Sequence, residues 1–250
     1  MQLKDTLRRR WPWLLLIVPV ALVIVVSAGT FVYIHFIAPD PAPRLTFSTV
    51  TTTSTPNAST DATNGSNTDA AADATSASVD GTWKVSDGSQ AGYRVSEVLN
   101  GQNNEATGRT TAVTGRVVIA GTSVTAATFS VDMTKVSSGE GQRDSQFRTR
   151  IMNTSQYPTA TFELTAPIEL SFVPANLVEI PVKATGKLTL HGTTQQITVD
   201  MKARRNGANL ELNGTVPITF SDYGIANPSG GPARVGDNGE MEFLIVLTRG

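Results

Sequence analysis

The chain has no cysteine and only two histidines, His35 and His191. The first absence excludes disulfides, thiolate chemistry, Cys-based zinc sites and attachment to a membrane through an acylated cysteine. The second leaves His191 as the sole histidine of the later part of the chain, so any His-based metal cluster or Ser-His-Asp triad there must use it. A surplus of charge is also missing: 20 Lys and Arg stand against 21 Asp and Glu. The part from Val79 onward is just as close to neutral. It has no basic stripe to follow a phosphate backbone, which argues against nucleic acid as a partner.

The chain opens on Lys4, Arg8, Arg9 and Arg10, followed by an apolar run without Asp, Glu, Lys or Arg. At 1.5 Å per residue, about 28 residues make a helix of roughly 40 Å, enough to cross ~30 Å of hydrocarbon with some tilt. The basic flank predicts a cytoplasmic N-terminus at 1–10, a transmembrane signal-anchor helix at 11–38, and everything after it outside the cell membrane. Trp11, Trp13 and Tyr33 fall near the ends of the run, where interfacial aromatics belong. A cleaved signal peptide is the competing reading, with Val26-Ser27-Ala28 as its small-residue site. The run continues through Phe31-Val32-Tyr33-Ile34, which favours the uncleaved anchor.

Residues 39–78 are rich in Thr, Ser, Ala, Asp, Asn and Pro, and large apolar residues are scarce after Phe47. Such a composition buries too little surface to offset the entropy of ordering, so a disordered linker is expected, spanning about 35 Å as a flexible coil.

From residue 79 to 250 the pattern alternates at period two. Tyr93, Val95, Glu97 and Leu99 share a face, as do Phe129, Val131 and Met133. Phe162 with Leu164, Leu188 with Leu190, Val216 with Ile218 and Phe220, and Met241 with Phe243, Ile245 and Leu247 continue the series. Asp87-Gly88, Asn100-Gly101, His191-Gly192, Asn206-Gly207 and Asn238-Gly239 supply turn chemistry between the runs. The fold class is therefore all-β, with about eight or more short-connected strands in a closed antiparallel barrel or a two-sheet sandwich. Closure has the advantage of removing open edges. The segment around Arg143–Asn153 is the one helix candidate, with Phe147 and Ile151 on a shared face that could lie across a barrel mouth. Phe243–Leu247 is apolar on both faces, which predicts a strand covered on its outer side as well. A filled core and a hollow barrel both fit these stripes, because an eight-strand barrel lies near the size at which either is possible.

Three segments carry a resemblance. The first is SSGEGQRDSQFRTRIMNTSQYPTATFE, with Arg143, Asp144, Phe147, Ile151, Met152, Tyr157, Pro158, Thr161 and Phe162. The second is Gly186–Thr194, with its Leu190-His191-Gly192-Thr193 hairpin, and the third is Phe220-Ser221-Asp222-Tyr223-Gly224-Ile225. Together they resemble the YceI-like family. Glu97 stands where that family usually has a His on its first strand, and the Arg expected before Asp222 is replaced by Thr219 or Phe220.

The resemblance implies a lipocalin-like barrel outside the cytoplasm that holds a long apolar molecule, a polyisoprenoid or isoprenoid quinone, for transport, storage or stress response. It implies carriage rather than catalysis and no cofactor other than a bound lipid. The expected apolar lining is Phe129, Val131, Met133, Phe147, Ile151, Phe162, Leu164, Leu188, Leu190, Phe220 and Phe243, with Glu97, Arg143 and Asp144 as polar contacts. If Glu97 points inward it needs a partner, or burial raises its pKa. Arg143–Asp144 also fits a stabilised helix start, and His191 and Asp222-Tyr223-Gly224 fit plain turns. The partners implied are an isoprenoid-type lipid and the membrane, with a homodimer left open. The alternative is a stalked surface module with a filled core, acting in adhesion or envelope organisation. A hydrolase acting on envelope glycans is a third reading, and no carboxylate spacing points to it.

Overall fold

The computed structural model describes residues 19, 23–28, 41–47, 78–230 and 233–250. The basic N-terminus read at 1–10, most of the anchor read at 11–38 and most of the linker read at 39–78 lie outside the described residues. Among the described residues no helix is long and apolar enough to cross a membrane.

The described residues form twelve strands: β1 Gly81–Val85, β2 Gln90–Leu99, β3 Gln102–Thr110, β4 Val113–Ala120, β5 Ser123–Asp132, β6 Thr159–Leu164, β7 Ile168–Glu169, β8 Ile180–Leu190, β9 Thr193–Asn206, β10 Asn209–Thr219, β11 Ala233–Val235 and β12 Asn238–Arg249. Eight of them make a closed antiparallel ring in the order β1, β4, β5, β6, β8, β9, β10, β12, with β12 pairing back to β1. The expected barrel is therefore present, and the sandwich is not formed. On the edge away from β10, β12 is long enough to serve two partners. Leu247–Arg249 pair with β1, and Glu240–Leu244 pair with β2. At the upper level β2 thus takes the place of β1. The β2–β3 hairpin extends from there and is tied back by Arg109 and Ser137, whose backbone groups exchange hydrogen bonds of 2.8 and 2.9 Å.

The turns follow from their residues. Asn100 and Gly101 both take positive φ between β2 and β3, and His191 and Gly192 do the same between β8 and β9, as two-residue hairpins require. Asn238-Gly239 is different. It opens β12 rather than making a turn, and Gly239 lies against Val95 and the Phe220 ring, where a Cβ would stand 2.8 Å from Val95 Cγ2.

Two apolar clusters divide the interior. One, at the end formed by β1 and the last residues of β12, contains Trp83, Val117, Ile119, Val124, Ala127, Ile245 and Leu247. It is packed solid, with Leu247 only 1% exposed, and Trp83 Nε1 donates to Val79 O at 2.8 Å. The other gathers Phe147, Met152, Leu188, Leu190, Ile218 and Phe220. It is roofed by a short helix, α1 (Gly141–Gln146), that continues as a π-helical turn over Phe147–Ile151.

The outer cover expected over β12 is also present. Ser86 N and Ser89 Oγ donate to Val246 O, so the β1–β2 turn passes over that residue. Beside it lies a described part of the stretch read as a linker. Residues 41–47 lie against the outer wall, and Phe47 is buried there. The partners that hold this segment are far away in sequence, so its polar composition did not reveal them.

Candidate ligand cavity

The helix that closes the upper end is positioned by Asp144. Its carboxylate accepts from Ser137 Oγ (2.6 Å), Ser138 N (2.7 Å) and Ser138 Oγ (2.6 Å). Burial pushes this carboxyl up, but the hydrogen bonds from Ser137 and Ser138 outweigh burial and hold it below the ordinary 3.8. The π-helical turn, in which Met152 N donates to Phe147 O at 2.8 Å, aims Phe147 and Ile151 downward. Phe147 stacks on Tyr93 of β2, with ring centroids 5.1 Å apart and planes 12° from parallel. Burial raises the Tyr93 hydroxyl to about 12.

Beneath this roof lies a cavity of about 860 Å³. Tyr93, Val95, Val131, Met133, Ile218 and Met241 form much of its apolar wall. A smaller apolar pocket of about 100 Å³ shares Ala91, Val131, Ala160 and Met241 with it and reaches toward the packed end. The barrel is therefore hollow in its upper half and filled below.

The hollow depends on aromatic rings lying against the wall instead of across the lumen. Tyr93 is in register with Gly108, and a Cβ on Gly108 would overlap the Tyr93 ring. Gly214 is likewise opposite Phe243, with Phe243 Cζ 2.8 Å from where a Cβ would be. Each glycine lets a ring fold flat across the neighbouring strand.

The rim is polar. Arg143 Nη2 lies 3.5 Å from Glu97 Oε1, and Asn104 Nδ2 donates to the same oxygen at 2.6 Å. Glu97 does face the cavity, and these are the partners that an inward carboxylate needs. Gln142, Gln146 and Arg150 complete the helix side of the rim, and Arg150 Nη2 donates to Pro228 O at 2.8 Å, tying the helix to the loop opposite.

Of the residues singled out from sequence, Val131, Met133, Phe147, Ile151, Leu190, Phe220, Glu97 and Arg143 line the main cavity. Phe129, Phe162, Leu188 and Phe243 line the smaller pocket. Leu164 and Asp144 line neither: Leu164 packs against the filled end, and Asp144 turns away to the serines. Tyr93 and Val95 were missed as lining, although they stand in phase with Glu97 on one strand. Val136, Met152 and Ile225 were missed because they sit in loops, where no periodicity marks an inward face. His191 lies outside the cavity at its hairpin, with Nδ1 3.2 Å from Tyr223 O and its ring edge-on to Tyr157. Asp222 belongs to a 3₁₀ turn, Phe220–Tyr223, closed by Gly224 at φ 63°.

The sequence profile of the YceI-like domain matches residues 83–247. The chain belongs to the YceI-like family. A polyisoprenoid-binding domain from Saccharophagus degradans, implicated in plant cell wall breakdown, superposes with a TM-score of 0.54 at 14% identity, covering 67% of this chain and 98% of that one. BcnA of Burkholderia cenocepacia gives 0.49 at 23% identity, covering 63% and 95%. A mutant Campylobacter jejuni YCEI protein with a monobromobimane guest gives 0.44 at 15% identity, covering 57% and 84%. At these identities the likeness is one of fold. No curated protein matches the sequence. Within this YceI-like barrel, Glu97 occupies its first long strand, on the cavity side and paired with the helix.

Proposed function

We propose that this YceI-like protein is a membrane-anchored lipid carrier outside the cytoplasm. It holds a long apolar molecule, a polyisoprenoid or isoprenoid quinone, without changing it chemically. The observation that carries this reading is the cavity of about 860 Å³, apolar along its walls, polar at its rim and backed by a filled end. An apolar chain entering it gains about 0.8 kcal/mol for each methylene buried, so a few suffice for useful affinity. A ligand with one polar end matches the division between wall and rim. The basic cluster and the apolar run at 11–38 support the anchor and its orientation.

Native mass spectrometry of the full chain, purified in mild detergent from its own host, tests the proposal. A discrete added mass that fragments as an isoprenoid is the expected result. A clean apo mass, with no saturable uptake of added polyprenol or quinone, overturns it. Fractionation with protease added outside intact cells tests the location separately, since an anchored outside domain is membrane-bound and cleaved.

A further inference from the structure

Residues 41–47, Pro-Ala-Pro-Arg-Leu-Thr-Phe, cross the outside of the wall from β3 to β9. Ala42 N donates to Thr107 Oγ1 at 3.1 Å, and its carbonyl accepts from Arg94 Nη2 at 2.6 Å. Arg109 donates to Pro43 O. Arg44 pairs with Glu240 at 2.6 Å. Leu45 N donates to Glu242 Oε2 at 3.3 Å, while its carbonyl accepts from Asn213 Nδ2 at 2.8 Å. The Phe47 ring ends the path beneath the Arg204 guanidinium, 4.4 Å from its centre.

The wall beneath is unusual for the outside of a barrel. Arg94 and Glu242 alternate with lumen residues on their strands and so point outward, yet their side chains are 5% and 1% exposed. Glu242 takes both Arg94 (3.3 Å) and Arg109 (2.7 Å). Charges withdrawn from water are tolerated only when paired and hydrogen-bonded. Here the segment's backbone supplies further partners: Ala42 O and Pro43 O accept from Arg94 and Arg109, and Leu45 N donates to Glu242.

The geometry points to a peptide groove on the outer wall, occupied by residues 41–47 of the same chain, which clamps the chain's entry onto the barrel. Two facts carry this beyond a packing contact. Phe47 and Ser78 both lie on the barrel, and Ser78 O accepts from Arg249. The distance between residues 41–47 and the barrel is therefore set by these contacts and not by the length of chain between Phe47 and Ser78. Ala38, the end of the apolar run, is three residues from Pro41, a reach of at most about 10 Å. In combination with the anchor proposed above, on which this consequence rests, the barrel wall stands at the membrane surface instead of a stalk's length away.

The test uses the full chain with an N-terminal affinity tag and a site-specific protease site placed within 48–77. After cleavage, the barrel is expected to stay with the tagged fragment under native conditions. Phe47→Ala, with the barrel's circular dichroism unchanged, is expected to weaken retention roughly tenfold or more, and Arg44→Glu to weaken it further. Immediate release of the wild-type barrel on cleavage overturns the clamp. So does co-purification of a second, differently tagged copy in place of the chain's own barrel, which would put the segment on a neighbour. Flotation of the uncleaved chain with vesicles reads the anchor alone, so its failure leaves the retention result standing.

Discussion

Arg143 Nη2 and Glu97 Oε1 face each other at 3.5 Å across the rim of the cavity, joining the roof helix to β2. The pair is partly exposed, which makes it a weak bond by energy and a sensitive one by position. Replacing Glu97 by Gln is expected to leave the unfolding midpoint nearly unchanged and to speed release of a bound apolar fluorophore by up to about fivefold. Stopped-flow displacement measures this. Unaltered release would mean that the rim pair does not restrain the roof.

Tyr93 and Gly108 make the second expectation. A side chain at Gly108 drives the Tyr93 ring off the wall and into the lumen. Gly108→Val should cost about 1–3 kcal/mol in stability. It should also weaken binding of the longest chains by roughly tenfold, the equivalent of about two buried methylenes. Titration with polyprenols of graded length separates the two effects.

Asp144 sets a pH dependence at the acid side. Its folded pKa lies below the ordinary 3.8, because the Ser137 and Ser138 hydrogen bonds overcome burial. Its contribution is therefore present above the unfolded value and is lost as pH falls through the depressed folded one. Asp144→Asn should lose about 1.5–3 kcal/mol at neutral pH, the scale of hydrogen bonds to a charged group. The gap between wild type and variant should close below the ordinary carboxylate range. Urea unfolding at a series of pH values gives both curves.

Tyr93 does the reverse in alkali. Burial raises it from 10.0 to about 12, so the folded barrel keeps a proton that the unfolded chain gives up. The stability this provides is complete below 10 and disappears as pH rises toward 12. Tyr93→Phe should flatten the decline in that window, and its near-ultraviolet absorbance should lack the latest-titrating phenol.

Much of the wall was legible in the chain. The stripes at Tyr93–Leu99 and Met241–Leu247 mark an inward face because every second residue must meet the core. Asn100-Gly101 and His191-Gly192 mark hairpins because their φ angles exclude most other residues. The hollow was not legible. It depends on which ring lies across which glycine on the next strand, as with Phe243 and Gly214, and no local pattern records that pairing. Residues 41–47 were illegible for the same reason: Ala42 meets Arg94, and Leu45 meets Glu242 almost two hundred positions later. Phe47, the last large apolar residue before a long polar stretch, was the one local sign that a contact lay there.

Trp83, Ile119 and Leu247 fill the end of the barrel opposite the helix. For the carrier proposed above, a guest entering past the rim would meet a blind wall among the described residues. A chain with one polar end, as proposed above, would go in tail first and back out head first, which would make the barrel a berth and not a conduit. Delivery by such a carrier would require the rim itself to meet the recipient, and its turnover would follow how often that meeting happens.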